Sequence, residues 1–255
     1  MTDDVSIDVR GLRREFASVA ALDGVDLAID GPEIVGVAGP NGSGKTTLLR
    51  CLLGLLRPGD GEIRVDGTPP VEFDPGDRRR LGYMPQHEAV YRELTVRGNV
   101  AFFARLYGVE DREAAVDRAL SFVSLRDRAE DRIGELSGGM VRRTSLACAV
   151  VHDPAVMLLD EPTVGLDPAL REEMWNWFRR RRDDGTLAVV STHYLGEARH
   201  CDRVLFLRAG EVLAFDTPAG HLESTGTSTL EDAFLELLAR DGSPGDSPGP
   251  GGTAG

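Results

Sequence analysis

Apolar and polar positions alternate near the start of the chain. Val5, Ile7 and Val9 fall on one face, and Val25, Leu27 and Ile29 repeat the pattern, which predicts two half-buried strands within residues 1 to about 30. Glu33 to Ala38 is a short apolar run. A Gly-rich loop follows, and Lys45 to Leu56 reads as a helix. Glu62 to Val65 is another strand, ended by the turn signal Asp66-Gly67. From about Thr95 to Arg132 the period becomes helical, with Phe102, Phe103, Leu106 and Tyr107, then Val116, Leu120 and Val123, spaced for an apolar face. A helix is predicted from Ser137 to about Val151, then strand Val156 to Leu159, helix Arg171 to Arg182 and strand Leu187 to Val190. Val204 to Leu207 and Glu211 to Phe215 form a hairpin-like pair around Ala209-Gly210.

Alternating strands and helices predict an α/β core with a mainly parallel sheet. The purely helical stretch, about 88–150, predicts a second lobe inserted into a domain spanning 1–241. Residues 242–255 are rich in Gly, Pro and Ser and are expected to be disordered, because they cannot bury a core. No internal repeat is visible.

Composition narrows the classes. No stretch approaches the roughly 18 to 20 apolar residues that cross a bilayer. The start, Met1-Thr2-Asp3-Asp4, has neither the basic residues nor the apolar run of a secretory signal, so a cytoplasmic protein is expected. Cys51, Cys148 and Cys201 are too scattered for a disulfide framework or a CxxC metal site and read as buried, inert thiols. The net charge of −13 disfavours nucleic acid and direct adsorption to anionic lipid. Lys45 is the only lysine; every other basic residue is arginine. Two origins fit this surface: a high-salt cytoplasm, where dense carboxylates stay hydrated, or a GC-rich genome that replaces Lys codons with Arg codons. Codon bias alone does not explain the acidic excess.

The strongest chemical signal is Gly39-Pro40-Asn41-Gly42-Ser43-Gly44-Lys45-Thr46, which satisfies GxxxxGK[ST] between a predicted strand and helix. Glycines let the backbone wrap a phosphate chain, and the helix start adds its positive end to the same anion. Lys45 supplies a point charge to the β- and γ-phosphates, and the Thr46 hydroxyl is a Mg²⁺ ligand. Alone, such a loop fits a GTPase, a small-molecule kinase or a helicase. Val156 to Leu159 is an apolar strand that runs into Asp160 and Glu161, then Pro162-Thr163. Asp160 at the strand tip can hold Mg²⁺ through water, and Glu161 can orient or deprotonate an attacking water. Ser137-Gly138-Gly139 opens a predicted helix with a hydroxyl and bare N–H groups, a second anion site on one chain.

Leu136-Ser137-Gly138-Gly139-Met140 resembles the signature motif LSGGQ of the ABC ATPase family in four of five positions. The resemblance covers roughly residues 5–240. It implies a P-loop NTPase core with a mainly parallel sheet, an antiparallel β subdomain and a helical lobe. It also implies that two such domains pack head-to-tail, each signature helix closing on the ATP held by the partner's loop. Gly39 and Asn41 to Thr47, including Ser43, Gly44 and Thr47, are then nucleotide contacts, with Ser137, Gly138 and Gly139 contacting the partner's ATP. Phe16 matches the aromatic residue that stacks on adenine, placed on the loop before Ala21-Leu22. Gln86, in Tyr83-Met84-Pro85-Gln86, matches the glutamine that senses Mg²⁺ and water between core and lobe. Asp167 matches the loop touching the opposite subunit, and His193 matches the switch histidine at the γ-phosphate. Met140 departs from the usual glutamine, and altered packing is expected there. The Arg179 to Arg182 run reads as a solvated helix end, and Trp175, Trp177 and Phe178 as packing.

Within the family, one acidic nucleotide domain argues against a tandem ribosome-acting factor. The short, heptad-free segment between Lys45 and Ser137 argues against a DNA-repair member with a long coiled coil; such a non-transport member, or the ATPase of an importer, is the alternative reading. A transporter ATPase with a separate transmembrane permease is expected, peripheral on the cytoplasmic face of the membrane and held there through the permease. Thr163 to Pro168, Ser191-Thr192-His193-Tyr194 and Thr229 to Phe234 resemble the branch associated with drug, antibiotic or polysaccharide efflux, so export is favoured over import.

Overall fold

Two antiparallel strands open the chain, β1 (Ser6–Phe16) and β2 (Val19–Asp30), joined by a tight turn at Ala17 with φ 54°. With β4 (Asp60–Val65) they form a three-stranded sheet in the order β2-β1-β4. The second sheet has six strands, ordered β5-β6-β7-β3-β8-β9. Its members are β3 (Ile34–Ala38), β5 (Leu81–Met84), β6 (Val156–Asp160), β7 (Leu187–Thr192), β8 (Arg203–Arg208) and β9 (Glu211–Asp216). The first five in spatial order run parallel, and β9 closes the edge antiparallel to β8. The computed structural model describes residues 5–242. The tail expected to be disordered lies almost wholly outside them.

The parallel sheet is buried on both faces, so its strands read as continuous apolar runs. Period two nevertheless sorts their side chains into two cores. Val156 and Leu158 of β6, with Leu187 and Val189 of β7, join the core shared with the antiparallel sheet and α1 (Lys45–Leu52). Met157, Leu159, Ala188 and Val190 face the opposite core. That core is built with α3 (Val96–Leu106), α4 (Arg112–Phe122), α5 (Gly138–Val150) and α6 (Pro168–Asp183). Trp175 and Phe178 of α6 are fully buried there, meeting edge to face at 5.5 Å. The remaining helices are α2 (Pro75–Arg79), α7 (Pro218–Thr225) and α8 (Leu230–Asp241).

Several boundaries differ from the sequence reading. The first helix stops at Leu52, because Gly54 adopts φ 68° and a side chain there would strike the Pro70 carbonyl at 2.2 Å. The sixth helix starts at Pro168, three residues before the expected Arg171, since Asp167 accepts the Leu170 N–H at 3.1 Å and Pro168 takes the first helical position. Strand β5 is only four residues long and escaped the periodicity. Helices α7 and α8 were not foreseen, although Thr217 and Thr229 cap them in the expected way. The three cysteines are free and buried, and burial pushes every thiol pKa upward, Cys51 to about 11. Among the described residues, no helix is long and apolar enough to cross a membrane.

Candidate active site

The C-terminal ends of the parallel strands carry the chemistry, as in other open α/β sheets. Strand β3 ends at Ala38 and the chain turns through Gly39 to Gly44 into α1. Glycine is required here by geometry. A side chain at Gly39 would lie 2.0 Å from the Leu207 carbonyl, and Gly44 sits at φ 109° with the Ala21 carbonyl 2.4 Å from any added carbon. Lys45 is buried and folds back to donate to the Gly39 and Pro40 carbonyls at 2.8 and 2.9 Å. Burial pushes its pKa down, and the charges of Glu161 and Asp160 oppose that shift. The buried Ser43 hydroxyl has no partner among the described residues, which leaves a donor in the loop free for an anion.

Strand β6 delivers Asp160 and Glu161 beside this loop. Asp160 is wholly buried; its Oδ1 accepts from the Ser191 hydroxyl at 2.5 Å, whereas Oδ2 has no partner among the described residues. A buried carboxylate oxygen left unpaired is costly unless a cation or water meets it. Together with the hydroxyl-bearing Thr46 next to Lys45, this oxygen suits a hard divalent cation such as Mg²⁺. Glu161 takes φ 53°, a left-handed conformation that is strained for a side-chain-bearing residue. Its N–H is held by the Ser191 hydroxyl at 3.0 Å and the Ser191 carbonyl at 3.2 Å. Its carboxylate meets His193 Nδ1 at 2.9 Å through Oε1 and accepts from Gln86 Nε2 at 3.4 Å through Oε2.

A cleft of about 420 Å³ is lined by Ala21, Asn41 to Thr47, Gln86 and Glu161. The expected loop contacts Asn41 to Thr47, the glutamine and the carboxylate thus meet in one place, with Asp160 and His193 joined to it through Ser191 and Glu161, whereas Gly39 is not part of the lining. Phe16 is not on a loop; it ends β1, half-exposed, with the Arg14 guanidinium 4.9 Å from its ring centre. Ser137, Gly138 and Gly139 do not line the cleft. Ser137 caps α5, accepting the Met140 N–H at 3.4 Å, and both Ser137 and Gly138 are exposed. Met140, where glutamine is usual, is partly buried and packs against the core that includes the helical lobe. Asp167 caps α6.

Sequence reasoning missed Ser191 as the bridge between Asp160 and Glu161, and it missed Arg142. The Arg142 guanidinium, half-buried on α5, donates to the Gln86 carbonyl at 2.8 Å and the Asp160 carbonyl at 2.9 Å. It also grips the Glu161 carbonyl through Nε at 3.1 Å and through Nη2. Nothing in the pattern separates Arg142 from the adjacent Arg143, whose contacts are to Val123 and Ser124 carbonyls. A second buried link was equally silent: the Thr163 hydroxyl donates to Glu197 at 2.5 Å, and Arg171 lies 3.1 Å from the same carboxylate.

A phosphate loop between strand and helix, an acidic pair at the tip of a neighbouring parallel strand and a histidine on that pair define a nucleoside-triphosphate hydrolase of the phosphate-loop class. The family described as ABC transporter matches residues 22–164. The chain is 39% identical over 221 residues to the Nod factor export ATP-binding protein I of Burkholderia lata, covering 86% of this chain and 73% of that protein. It is 35% identical over 239 residues to the probable multidrug ABC transporter ATP-binding protein YbhF of Escherichia coli, covering 91% of this chain and 41% of that one. Among solved structures, an ATP-binding subunit of an ABC transporter superposes with a TM-score of 0.84 at 27% identity, covering 91% of this chain and 99% of that one. A dimeric ATP-binding cassette bound to ADP and Pi superposes with a TM-score of 0.76 at 27% identity, covering 83% and 98%. The chain belongs to the ABC transporter family, as its ATP-binding and ATP-hydrolysing subunit.

Proposed function

We propose that two copies of this domain close head-to-tail on two ATP molecules and drive export through a separate transmembrane permease. The observation that carries this reading is the division of the phosphate-binding groups. The loop, Gln86 and Glu161 line one cleft, while the exposed helix start at Ser137 and Gly138 lies outside it. An anion site turned away from its own nucleotide is explained if it serves the nucleotide of a second subunit.

In each cleft Phe16 stacks on adenine. The N–H groups from Asn41 to Thr47 cradle the phosphates, with Gly39 giving the room for the turn, and Lys45 swings off the Gly39 and Pro40 carbonyls onto the β- and γ-phosphates. Thr46, Gln86 and Asp160 would hold Mg²⁺, which when bound neutralises phosphate charge. Glu161 accepts the proton of the attacking water, held in place by its contact with His193, which also faces the γ-phosphate. Ser137, Gly138 and Gly139 bind the partner's γ-phosphate, and Asp167 touches the partner. Loss of that phosphate removes the charge bridging the subunits and reopens them.

The helical lobe, about 88–150, passes this motion to the permease. An apolar groove of about 620 Å³ lies between lobe and core, lined by Leu53, Leu55 and Tyr83 on one side and Leu106 and Tyr107 on the other. Exposed Leu55 and Leu106 offer a seat for an amphipathic cytoplasmic helix of the permease. The subunit then sits on the cytoplasmic face of the membrane without entering it. Export is supported by the relatives named for Nod factor export and multidrug transport.

Purified protein is expected to hydrolyse ATP only with Mg²⁺ present. Lys45→Ala should lower turnover at least about a hundredfold, since it removes the one side-chain charge aimed at the phosphates. ATP hydrolysis that survives both chelation and Lys45→Ala would overturn the assignment of this cleft.

A further inference from the structure

We infer that Arg142 is a positioning residue for hydrolysis: it ties the signature helix of each subunit to the backbone of that subunit's own Glu161, and so links the two ATP sites of the dimer. Arg142 lies in the second turn of α5, five residues beyond Ser137. Among the described residues its guanidinium forms no ion pair; its donors go to three main-chain oxygens, those of Gln86, Asp160 and Glu161. Those residues are the lobe glutamine, the strand-tip aspartate and the catalytic glutamate. A planar fork spreads its fixed donors over three nitrogens and so reaches three separated oxygens in one set geometry, whereas an ammonium's three donors radiate from a single rotating nitrogen.

Glu161 needs such a clamp. At φ 53° its peptide is held on one side by Ser191, through the N–H, and on the other by Arg142, through the carbonyl. Release of either side lets the residue relax toward ordinary backbone, which swings the carboxylate away from His193 and Gln86. The consequence reaches between subunits. When Ser137 engages the partner's γ-phosphate, α5 is drawn to a new position, and Arg142 carries that displacement to the Glu161 of its own site. Occupancy of one site thereby sets the geometry of the other, a coupling between two distinct sites through one rigid helix. This inference rests on the head-to-tail dimer proposed above.

The test is steady-state ATPase kinetics on wild-type protein, Arg142→Lys and Arg142→Ala, with thermal unfolding of each and added guanidinium ion at millimolar concentration for Arg142→Ala. A displaced carboxylate costs turnover without weakening nucleotide binding. We expect kcat to fall about 10- to 100-fold in both variants, KM to stay within about twofold and the Hill coefficient for ATP to drop toward 1. Guanidinium should restore part of the Arg142→Ala rate. Unchanged kcat and Hill coefficient in Arg142→Lys would overturn the inference. So would a joint loss of kcat, KM and thermal stability without guanidinium rescue, which assigns Arg142 to folding alone; Arg142→Lys decides if Arg142→Ala does not fold. Absence of ATPase in the wild-type protein contradicts the functional reading itself and is distinguished by running it alongside.

Discussion

Glu161 shows what a single position contributes beyond its side chain. A glutamate after an apolar strand is common, and the sequence places this carboxylate one residue beyond Asp160 at the strand tip. The sequence does not show the left-handed backbone, the Ser191 bridge or the Arg142 fork that hold it. These contacts use main-chain oxygens and a hydroxyl on another strand, so no motif or period records them. His152 makes the same point away from the cleft. It stacks on Tyr107 at 3.7 Å with the rings 10° apart, and its Nε2 meets the Leu81 carbonyl at 3.1 Å. Burial pushes its pKa down to about 4, opposed first by the hydrogen bond to the Leu81 carbonyl and then by the charge of Asp153. The folded pKa lies below the ordinary value, so the unfolded chain takes up the proton first as pH falls. The stability tied to neutral His152 is complete above about pH 6.5 and is lost between there and about pH 4, on the order of 3 kcal/mol. His152→Phe keeps a ring on Tyr107 and removes the titration. Its melting temperature should fall less steeply than the wild type's across that window, measured by circular dichroism; parallel curves would refute the assignment.

At the scale of elements, the strongly patterned segments were legible. The parallel strands appear as apolar runs because both faces are covered, and the helices behind Thr95, Asp111 and Ser137, which cap them in the structure, showed in their apolar spacing or as a continuous segment. Short elements were not. β5 has four residues, yet it sets Tyr83 against the apolar groove and leads toward Gln86, which lines the cleft. Helix α1 ends early because Gly54 turns against Pro70, and that turn exposes Leu55 beside the groove. The groove joins residues from the end of α1, β5 and the end of α3, which lie far apart in sequence, so periodicity cannot announce it. Its proposed occupant gives a prediction. Leu55→Asp combined with Leu106→Asp should abolish co-purification with the permease and leave the melting temperature within a few degrees, since both side chains are exposed. Undiminished co-purification would move the permease contact elsewhere.

The whole molecule is half of a working unit in this account. Its own fold assembles the phosphate loop, the acidic pair and the two residues that touch Glu161, and it leaves the start of α5 exposed outside that cleft, where the proposed dimer would use it. The chain's acidity, a net charge of −13, works against bringing two copies together, so closure needs a strong counterweight from the bridged phosphates. That balance makes the dimer depend on intact ATP. Glu161→Gln preserves the shape of the side chain and removes its capacity to accept a proton. The most direct measurement is therefore the mass of Glu161→Gln by light scattering on a sizing column, with Mg²⁺ and either ATP or ADP. The account predicts a stable dimer with ATP, a monomer with ADP and hydrolysis slowed by orders of magnitude. A monomer in both nucleotides, with ATPase activity unimpaired, would contradict it.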